Sequence, residues 1–512
     1  MSSRSRASSR RTRLSRRCSR LWRPMSTEAR PAPGSVDIAT QSLARPAAVM
    51  AVGTVLSRLT GLGRIAAMAF ALGVAESRLA DSYNVANTLP NVLYELVLGG
   101  VLTSVFIPVV VSELRTKPHD EAWRSASAMV TASIAVLAGL TVLTVLVAPW
   151  VIDLFTQRVS GRQAAEQRDL ATFFLRVFAP QVALYVLLGV GTTGGVALMA
   201  LAYWPFLRAL PGRLRVRLDF RHPAVRRLAR LSAWTVGYVI TNTLGFGVSF
   251  ALANGVQGGV TAYVTAFAFF QLPIGVAAVS IVTALVPRMS AHYVDGDVRG
   301  FAEDVGRGLR SIALLLLPAT AALIVLAHPA ITTLLEHGVV HSHSANLVAS
   351  VLQMFAIGLL PFSLYQLLMR AFYTRQDART PALINVVGNG VTIALDFALF
   401  PLLDVRGLAL AHTLGYVVGC VVAGRILLRR VGGLDRRRTL MQVARVGAAS
   451  LACAGAMVAV VAVLSTALAA GQGRALAELV LGGGIGLAVF LALARAMHVE
   501  DLALFRRFLP AR

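Results

Sequence analysis

The sequence predicts an all-α fold, a polytopic membrane bundle of about twelve transmembrane helices. Three observations carry the prediction. The 512-residue chain is 56% hydrophobic and only 14% charged, with a mean hydropathy of +0.68, whereas a soluble chain carries about 25% charged residues. Its apolar runs are about 20–30 residues long and do not alternate with period two, which favours helices over barrel strands. Its charge is concentrated between those runs, with a formal net charge of +25 that is almost all arginine; Lys117 is the sole lysine.

Residues 1–45 contain eleven arginines and no apolar periodicity, and read as a basic, disordered cytoplasmic tail. Met25 opens a more ordinary leader, and translation is expected to start there. The first apolar run begins near Pro46 and is too long for a cleavable signal. Spans are expected at about 46–73, 81–112, 125–149, 170–209, 231–254, 260–287, 310–335, 345–373, 381–402, 406–428, 442–470 and 474–497. They form a first bundle over 46–209 and, after a basic loop at 210–230, a second bundle with C-terminal helices over 231–497; a short tail follows at 498–512.

The loops set the orientation. Loop 210–230 carries Arg213, Arg215, Arg217, Arg221, Arg226, Arg227 and Arg230, and loop 429–441 carries Arg429, Arg430, Arg436, Arg437 and Arg438. Loop 255–259 has no charge, and loop 336–344 has Glu336 with His337, His341 and His343 but no arginine. Positive loops stay inside, so both termini are expected in the cytoplasm. The run 170–209 is twice as long as a span needs, with Gly189, Gly191, Gly194 and Gly195 marking a break; one crossing preserves the charge rule.

The first two spans hold the polar groups that hydrocarbon should exclude. The first has Gly53, Ser57 and Gly61 at four-residue spacing, a face for close helix contact. Arg58 and Arg64 stand on it about 9 Å apart along the axis and about 120° apart around it. They read as cavity-lining groups or as partners of carboxylates such as Glu95. On the second, Asp81, Asn84, Thr88, Asn91, Glu95 and Gly99 fall within an arc of about 80°. That stripe is either a polar seam between helices or the wall of a hydrophilic cavity. Guanidinium groups opposite amides suit an amphiphilic anion, because arginine binds phosphate in a bidentate manner.

Further along, Arg370 and the loop 374–380 with Arg375, Asp377 and Arg379 read equally as a gate or headgroup contact and as an inside-anchored turn. Asp396, within a span, reads as an ion-pair partner or an ion ligand. The three loop histidines give only a weak case for zinc, and no metal site is expected. No nucleophile–base arrangement, P-loop or HExxH occurs. An enzyme, a cofactor and a nucleic-acid partner are therefore not expected.

The chain resembles the MurJ/MviN family of lipid II flippases in three blocks. The first is Ser57-Arg58-Leu59-Thr60-Gly61-Leu62-Gly63-Arg64, followed by Asp81 through Leu89-Pro90-Asn91, then Gly100 and Phe106-Ile107-Pro108. The second is Gln271-Leu272-Pro273-Ile274-Gly275 with Leu285-Val286-Pro287, and the third runs from Arg370 to Thr380-Pro381. The resemblance implies two pseudo-related bundles around a central cationic cavity, usually built from fourteen spans. It implies movement of an undecaprenyl-pyrophosphate-linked peptidoglycan precursor across the bacterial cytoplasmic membrane by alternating access, with membrane lipids and cell-wall synthesis proteins as partners. It places Ser57, Arg58, Arg64 and Asp81 at cavity positions, and it sets the ion ligands of some members on helices matching 231–254 and 381–402, where Asn242, Asn385 and Asn389 are the neutral candidates.

This sequence departs from the family at Ile65, where an acid is usual, and at Tyr94 and Ala268, where arginines are usual. About a hairpin's worth of sequence is missing between Ala179-Pro180-Gln181 and Leu188-Gly189, which shortens the first bundle. The alternatives are an exporter of another lipid-linked glycan or amphiphile, and a non-transporting scaffold or decayed paralogue.

Overall fold

The computed structural model describes residues 44–94, 119–159, 162–179, 223–375, 377–432 and 435–499, and among them there is no strand. The helices are α1 Ala44–Leu72, α2 Leu79–Tyr94, α3 His119–Thr156, α4 Arg162–Phe178, α5 Pro223–Ala253 and α6 Gly259–Val294. There follow α7 Val298–Val325, α8 Ala327–Leu335, α9 Ser342–Ile357, α10 Leu359–Tyr373, α11 Arg379–Leu403, α12 Val405–Val431, α13 Arg436–Ala467 and α14 Gln472–Ala496. The chain is all-α, as the hydropathy pattern requires, and it is a multi-pass membrane bundle.

Most expected spans coincide with one helix. Two correspond to broken helices, 310–335 to α7 and α8, and 345–373 to α9 and α10, which meet at a bend of 50° at Gly358. The expected loop 288–309 is mostly helix, since only residues 295–297 separate α6 from α7. There the helices continue past the apolar windows as amphipathic turns: buried Asp304 pairs with Arg288 at 3.0 Å and with Arg307 at 3.5 Å. The expected span 170–209 also needs correction at its start. Its first nine residues belong to α4, which begins at Arg162 with a charged face and packs on α2 through Tyr83, Phe174 and Phe178; residues 180–209 lie outside the described set.

Within α6, Pro273 has no amide hydrogen to donate, and a π-turn follows at Ile274–Ala278. The widened turn lies beside α1, where an added Cβ on Gly275 would lie 2.9 Å from Arg58 Nε. Only a glycine admits the guanidinium that close.

Burial separates two faces. A core of Tyr263, Phe270, Phe301, Phe355 and Phe372 lies between α6, α7, α9 and α10, while a smaller cluster around Val446, Cys453 and Phe490 joins α13 and α14 to α7. By contrast, Trp150, Leu402 and Leu451 are 70%, 77% and 75% exposed, as side chains facing acyl chains must be.

The turn between α10 and α11 is held electrostatically. Asp377 accepts hydrogen bonds from the Thr380 amide (2.9 Å), the Thr380 hydroxyl (2.6 Å) and Arg430 Nη1 (2.6 Å). Burial raises its carboxyl, but these bonds outweigh burial and hold it below the usual carboxylate range. A carboxyl depressed in the fold adds stability above its unfolded value, and that stability is lost as pH falls through the folded value. Asp377→Asn should therefore cost about 1–2 kcal/mol near neutral pH. Thermal unfolding in detergent should show this difference, and the gap should close below about pH 4, where the unfolded carboxyl protonates.

Candidate functional site

A cavity of about 590 Å³ opens between α1, α2, α5, α6 and α10. Each helix contributes a face at helical spacing. From α2 come Ala80, Tyr83, Asn84, Asn87 and Thr88; from α5, Tyr238, Asn242, Thr243 and Phe246; from α6, Tyr263, Phe267, Ala268 and Gln271. Arg58 and Arg64 of α1 and Arg370 of α10 supply its positive charge, and no carboxylate lines it among the described residues. Arg58 Nη1 donates to Gln271 Oε1 at 3.1 Å. Residues 213 positions apart in sequence thus meet, and the three sequence blocks converge on one space.

The predicted polar stripe on α2 faces the cavity, rotated by about 50° from its expected centre. Asn84 remains in the wall, donating to Thr261 Oγ1 at 3.1 Å. The rotation brings in Tyr83 and Asn87 and turns Asp81 out. Asp81 is fully buried and does not line the cavity. Its Oδ2 accepts the Gly258 amide at 3.0 Å, and its Oδ1 accepts the Thr261 amide at 3.0 Å and the Thr261 hydroxyl at 2.7 Å. It caps the start of α6 from another helix, serving the unpaired first-turn amides. Ser57 is exposed on α1 and does not line the cavity either. The side chain of Asn91 and all of Glu95 fall outside the described residues.

The same end of the bundle is closed by further bonds between its halves. Glu76 Oε1 accepts the His341 amide at 3.0 Å and the Ser344 hydroxyl at 2.7 Å, while its Oε2 accepts the Val74 amide at 2.6 Å. Partial burial raises the Glu76 carboxyl, but these donors outweigh it and leave it below its ordinary value. Gln257 Nε2 donates to Ala75 O at 2.8 Å, and Arg78 Nη1 to Asn254 O at 2.9 Å. Gly258, at φ 76°, lies against Val74 and Ala75; both its φ and the space exclude a side chain.

The other candidates separate. Of the expected gate residues, Arg370 lines the cavity, whereas Asp377 holds the α10–α11 turn. Arg375 lies 6.0 Å over the Tyr293 ring, and Arg379 is exposed, 5.6 Å over Trp234. The ion-site candidates do not converge. Asn242 faces the cavity, whereas Asn385 and Asn389 border a separate chamber of about 10 Å³ between α10, α11 and α12. There Asn385 Nδ2 donates to Tyr238 O at 2.8 Å, and Asn389 Nδ2 to Asn385 Oδ1 at 3.0 Å. Among the loop histidines, His337 is bound by Gln472 and Thr333. Among the described residues no group of three metal-ligating side chains gathers. The sequence reading missed Tyr83, Thr243, Gln366 and Tyr373 in the wall; on α5, polar residues at Tyr238 and Asn242, one turn apart, were the available signal.

Helices arranged in this way around a polar central space form the framework of a membrane transporter. The solved structure titled "Lipid II flippase MurJ, inward closed conformation" superposes with a TM-score of 0.65 at 18% identity, covering 88% of this chain and 98% of that one. An inward-facing multidrug resistance MATE family transporter of the MOP superfamily superposes with a TM-score of 0.50 at 16% identity, over 75% of this chain and 99% of that one. The family model described as "Lipid II flippase MurJ" matches residues 68–191 and 183–481. The chain belongs to that family. A "Probable lipid II flippase MurJ" of Rhizobium meliloti (strain 1021) is 27% identical over 519 residues, 91% of this chain and 96% of that protein. A "Lipid II flippase MurJ" of Burkholderia cenocepacia is 27% identical over 413 residues, 71% of this chain and 79% of that protein.

If Asp81 is a cap and not a ligand, its loss is a loss of fold. Asp81→Ala leaves the Gly258 and Thr261 amides buried without acceptors, at a cost of about 2–4 kcal/mol. Thermal unfolding of the purified protein should drop accordingly.

Proposed function

We propose that the chain moves lipid II, the undecaprenyl-pyrophosphate-linked peptidoglycan precursor, across the bacterial cytoplasmic membrane by alternating access. The observation that carries this reading is the central cavity lined by Arg58, Arg64 and Arg370 and by no acid among the described residues. A pyrophosphate brings negative charge into a space that hydrocarbon surrounds, and arginines there are costly unless an anion offsets them. The amides of Asn84, Asn87 and Asn242 and the hydroxyl of Thr88 offer neutral hydrogen bonds to a sugar–peptide headgroup. The prenyl tail would remain in lipid beside the bundle.

Arg226, Arg227 and Arg230 at the start of α5, with Arg429 and Arg430 at the end of α12 and Arg436–Arg438 at the start of α13, support a cytoplasmic face opposite the Glu76 and Asp81 contacts and both termini inside. The state described is then closed toward the outside. Opening outward requires the bonds from Glu76, Gln257 and Arg78 to break while a second set forms at the Arg370–Arg379 end. Substrate shifts the balance between the two states by binding one more tightly than the other. The break between the two matched segments, 68–191 and 183–481, falls within the expected run 170–209, which supports a first bundle shortened there.

The test is replacement of the native flippase by variants in a living cell. Removing one charge-assisted contact costs about 1.5–3 kcal/mol, a loss of about 10- to 100-fold in affinity. Arg58→Ala and Arg64→Ala should each fail to support growth or do so weakly, with normal amounts of protein in the membrane. Full growth on both variants would contradict a pyrophosphate substrate.

A further inference from the structure

A second space, of about 360 Å³, opens between α8, α9 and α12 at the end of the bundle where Glu76 bonds. It shares no lining residue with the central cavity. Its polar wall consists of His328, His343, Asn346, Ser350, Gln353 and Arg406. His328 is the second residue of α8, His343 of α9 and Arg406 of α12. No side chain caps any of these three helix starts. A helix start carries partial positive charge, so acids are favoured there and cations are not. Here a guanidinium and two imidazoles stand at three starts around one space, and no carboxylate lines it among the described residues.

Arg406 is unlike the other described arginines of this end. Arg78 Nη1 donates to Asn254 O at 2.9 Å, and Arg158 lies 5.8 Å over the Phe400 ring. Arg168 pairs with Asp153 at 3.4 Å and Arg474 with Glu478 at 2.8 Å. Arg406 has no hydrogen bond, ion pair or ring contact among the described residues. Asp404, two residues before it, does not line the space, and Glu76 is engaged by the His341 amide and the Ser344 hydroxyl. Part of the neutral wall is engaged too. His328 Nε2 donates to Asn346 Oδ1, the Ser350 hydroxyl to Leu347 O at 2.9 Å and Gln353 Nε2 to Ile324 O at 2.9 Å. The donors left over are the Arg406 guanidinium, the His343 imidazole and the Asn346 amide nitrogen.

We propose that this space is a second anion site, separate from the central cavity, and that it binds a phosphate group. A phosphate offsets both the guanidinium and the three helix starts. Its oxygens accept two parallel bonds from Arg406 and further ones from His343 and Asn346. The volume exceeds that of a bare phosphate, so the group can carry a substituent. Leu347 and Ala349 give the wall an apolar side, and Leu402, four residues before Arg406, is 77% exposed. The same chemistry serves two sources, the headgroup of an anionic phospholipid in the leaflet at this end and free phosphate in solution. The site is tied to the closed end of the bundle, because His341 and Ser344, which hold Glu76, flank His343. A phosphate joining the start of α9 to the start of α12 therefore favours the state in which the Glu76 bonds are made.

The test is thermal unfolding of the full chain in phosphatidylcholine nanodiscs, without lipid II, in two arms. One arm adds inorganic phosphate; the other replaces part of the phosphatidylcholine by phosphatidylglycerol. The expected result is a rise in the unfolding midpoint in at least one arm, with the half-saturating level increased about 10-fold or more in Arg406→Gln and increased in His343→Ala. Arg406→Lys, which keeps the charge without the planar fork, should fall between wild type and Arg406→Gln. Arg437→Gln, at the opposite end, should respond as wild type does. A response to phosphate assigns the free anion, and a response to phosphatidylglycerol alone assigns the headgroup. No rise in either arm, or the same half-saturating level in wild type, Arg406→Gln and His343→Ala, overturns the proposal. The proposed transport function stands or falls independently, since no lipid-linked substrate enters the measurement and no residue of the central cavity is changed.

Discussion

The closed end of the molecule depends on one carboxylate. Asp81 belongs to α2, yet all of its hydrogen bonds go to the first turn of α6. A helix start buried in a membrane protein has amide donors that water cannot reach, and they must find an acceptor. Supplying that acceptor from the other half of the bundle makes a stability requirement into an inter-bundle joint. Glu76, Gln257 and Arg78 extend the joint along the 73–78 loop. The cavity below owes its closed end to this set of bonds, and Gly258 is the residue that lets the two loops approach.

Beneath that joint the chemistry is asymmetric. Arginines face a space without acids among the described residues, while the acids of the neighbouring helices are engaged elsewhere. Asp81 caps α6, Asp377 ties α11 to Arg430, and Asp304 pairs with Arg288. The cavity is therefore left with uncompensated positive charge, even though Ala268 is an apolar wall where the resemblance implies an arginine. A less crowded cationic site still favours a polyanionic headgroup, with the amides of α2 and α5 contributing hydrogen bonds in place of the missing arginine.

The fold was legible because bilayer length and backbone satisfaction leave few choices, and most long apolar runs among the described residues are helices. What hydropathy could not show was helix continuing beyond the apolar window, as at Arg288–Asp304, where ion pairs carry the amphipathic turns. The site was legible in part. Arg58, Arg64 and Asn84 line the cavity, as their cost in hydrocarbon suggested, and Arg370, read as a gate contact or an inside-anchored turn, joins them there. Asp81 was misread for a physical reason: a helical wheel gives the face of a residue but not the neighbour that meets it, and here the neighbour is a helix terminus. The asparagines at 242, 385 and 389 separated for the same reason, since a wheel for each helix does not fix which faces share a space. Gln271 stood in a recognised block, but its bond to Arg58 joins residues 213 positions apart, a pairing no local pattern fixes.

The account rests on the claim that this cavity carries a lipid-linked pyrophosphate outward. The most direct measurement is depletion of the protein in its own cell, followed by assay of lipid II exposed at the outer leaflet. The account predicts that exposed lipid II falls sharply while total lipid II is maintained or rises. Unchanged exposure after depletion would contradict it.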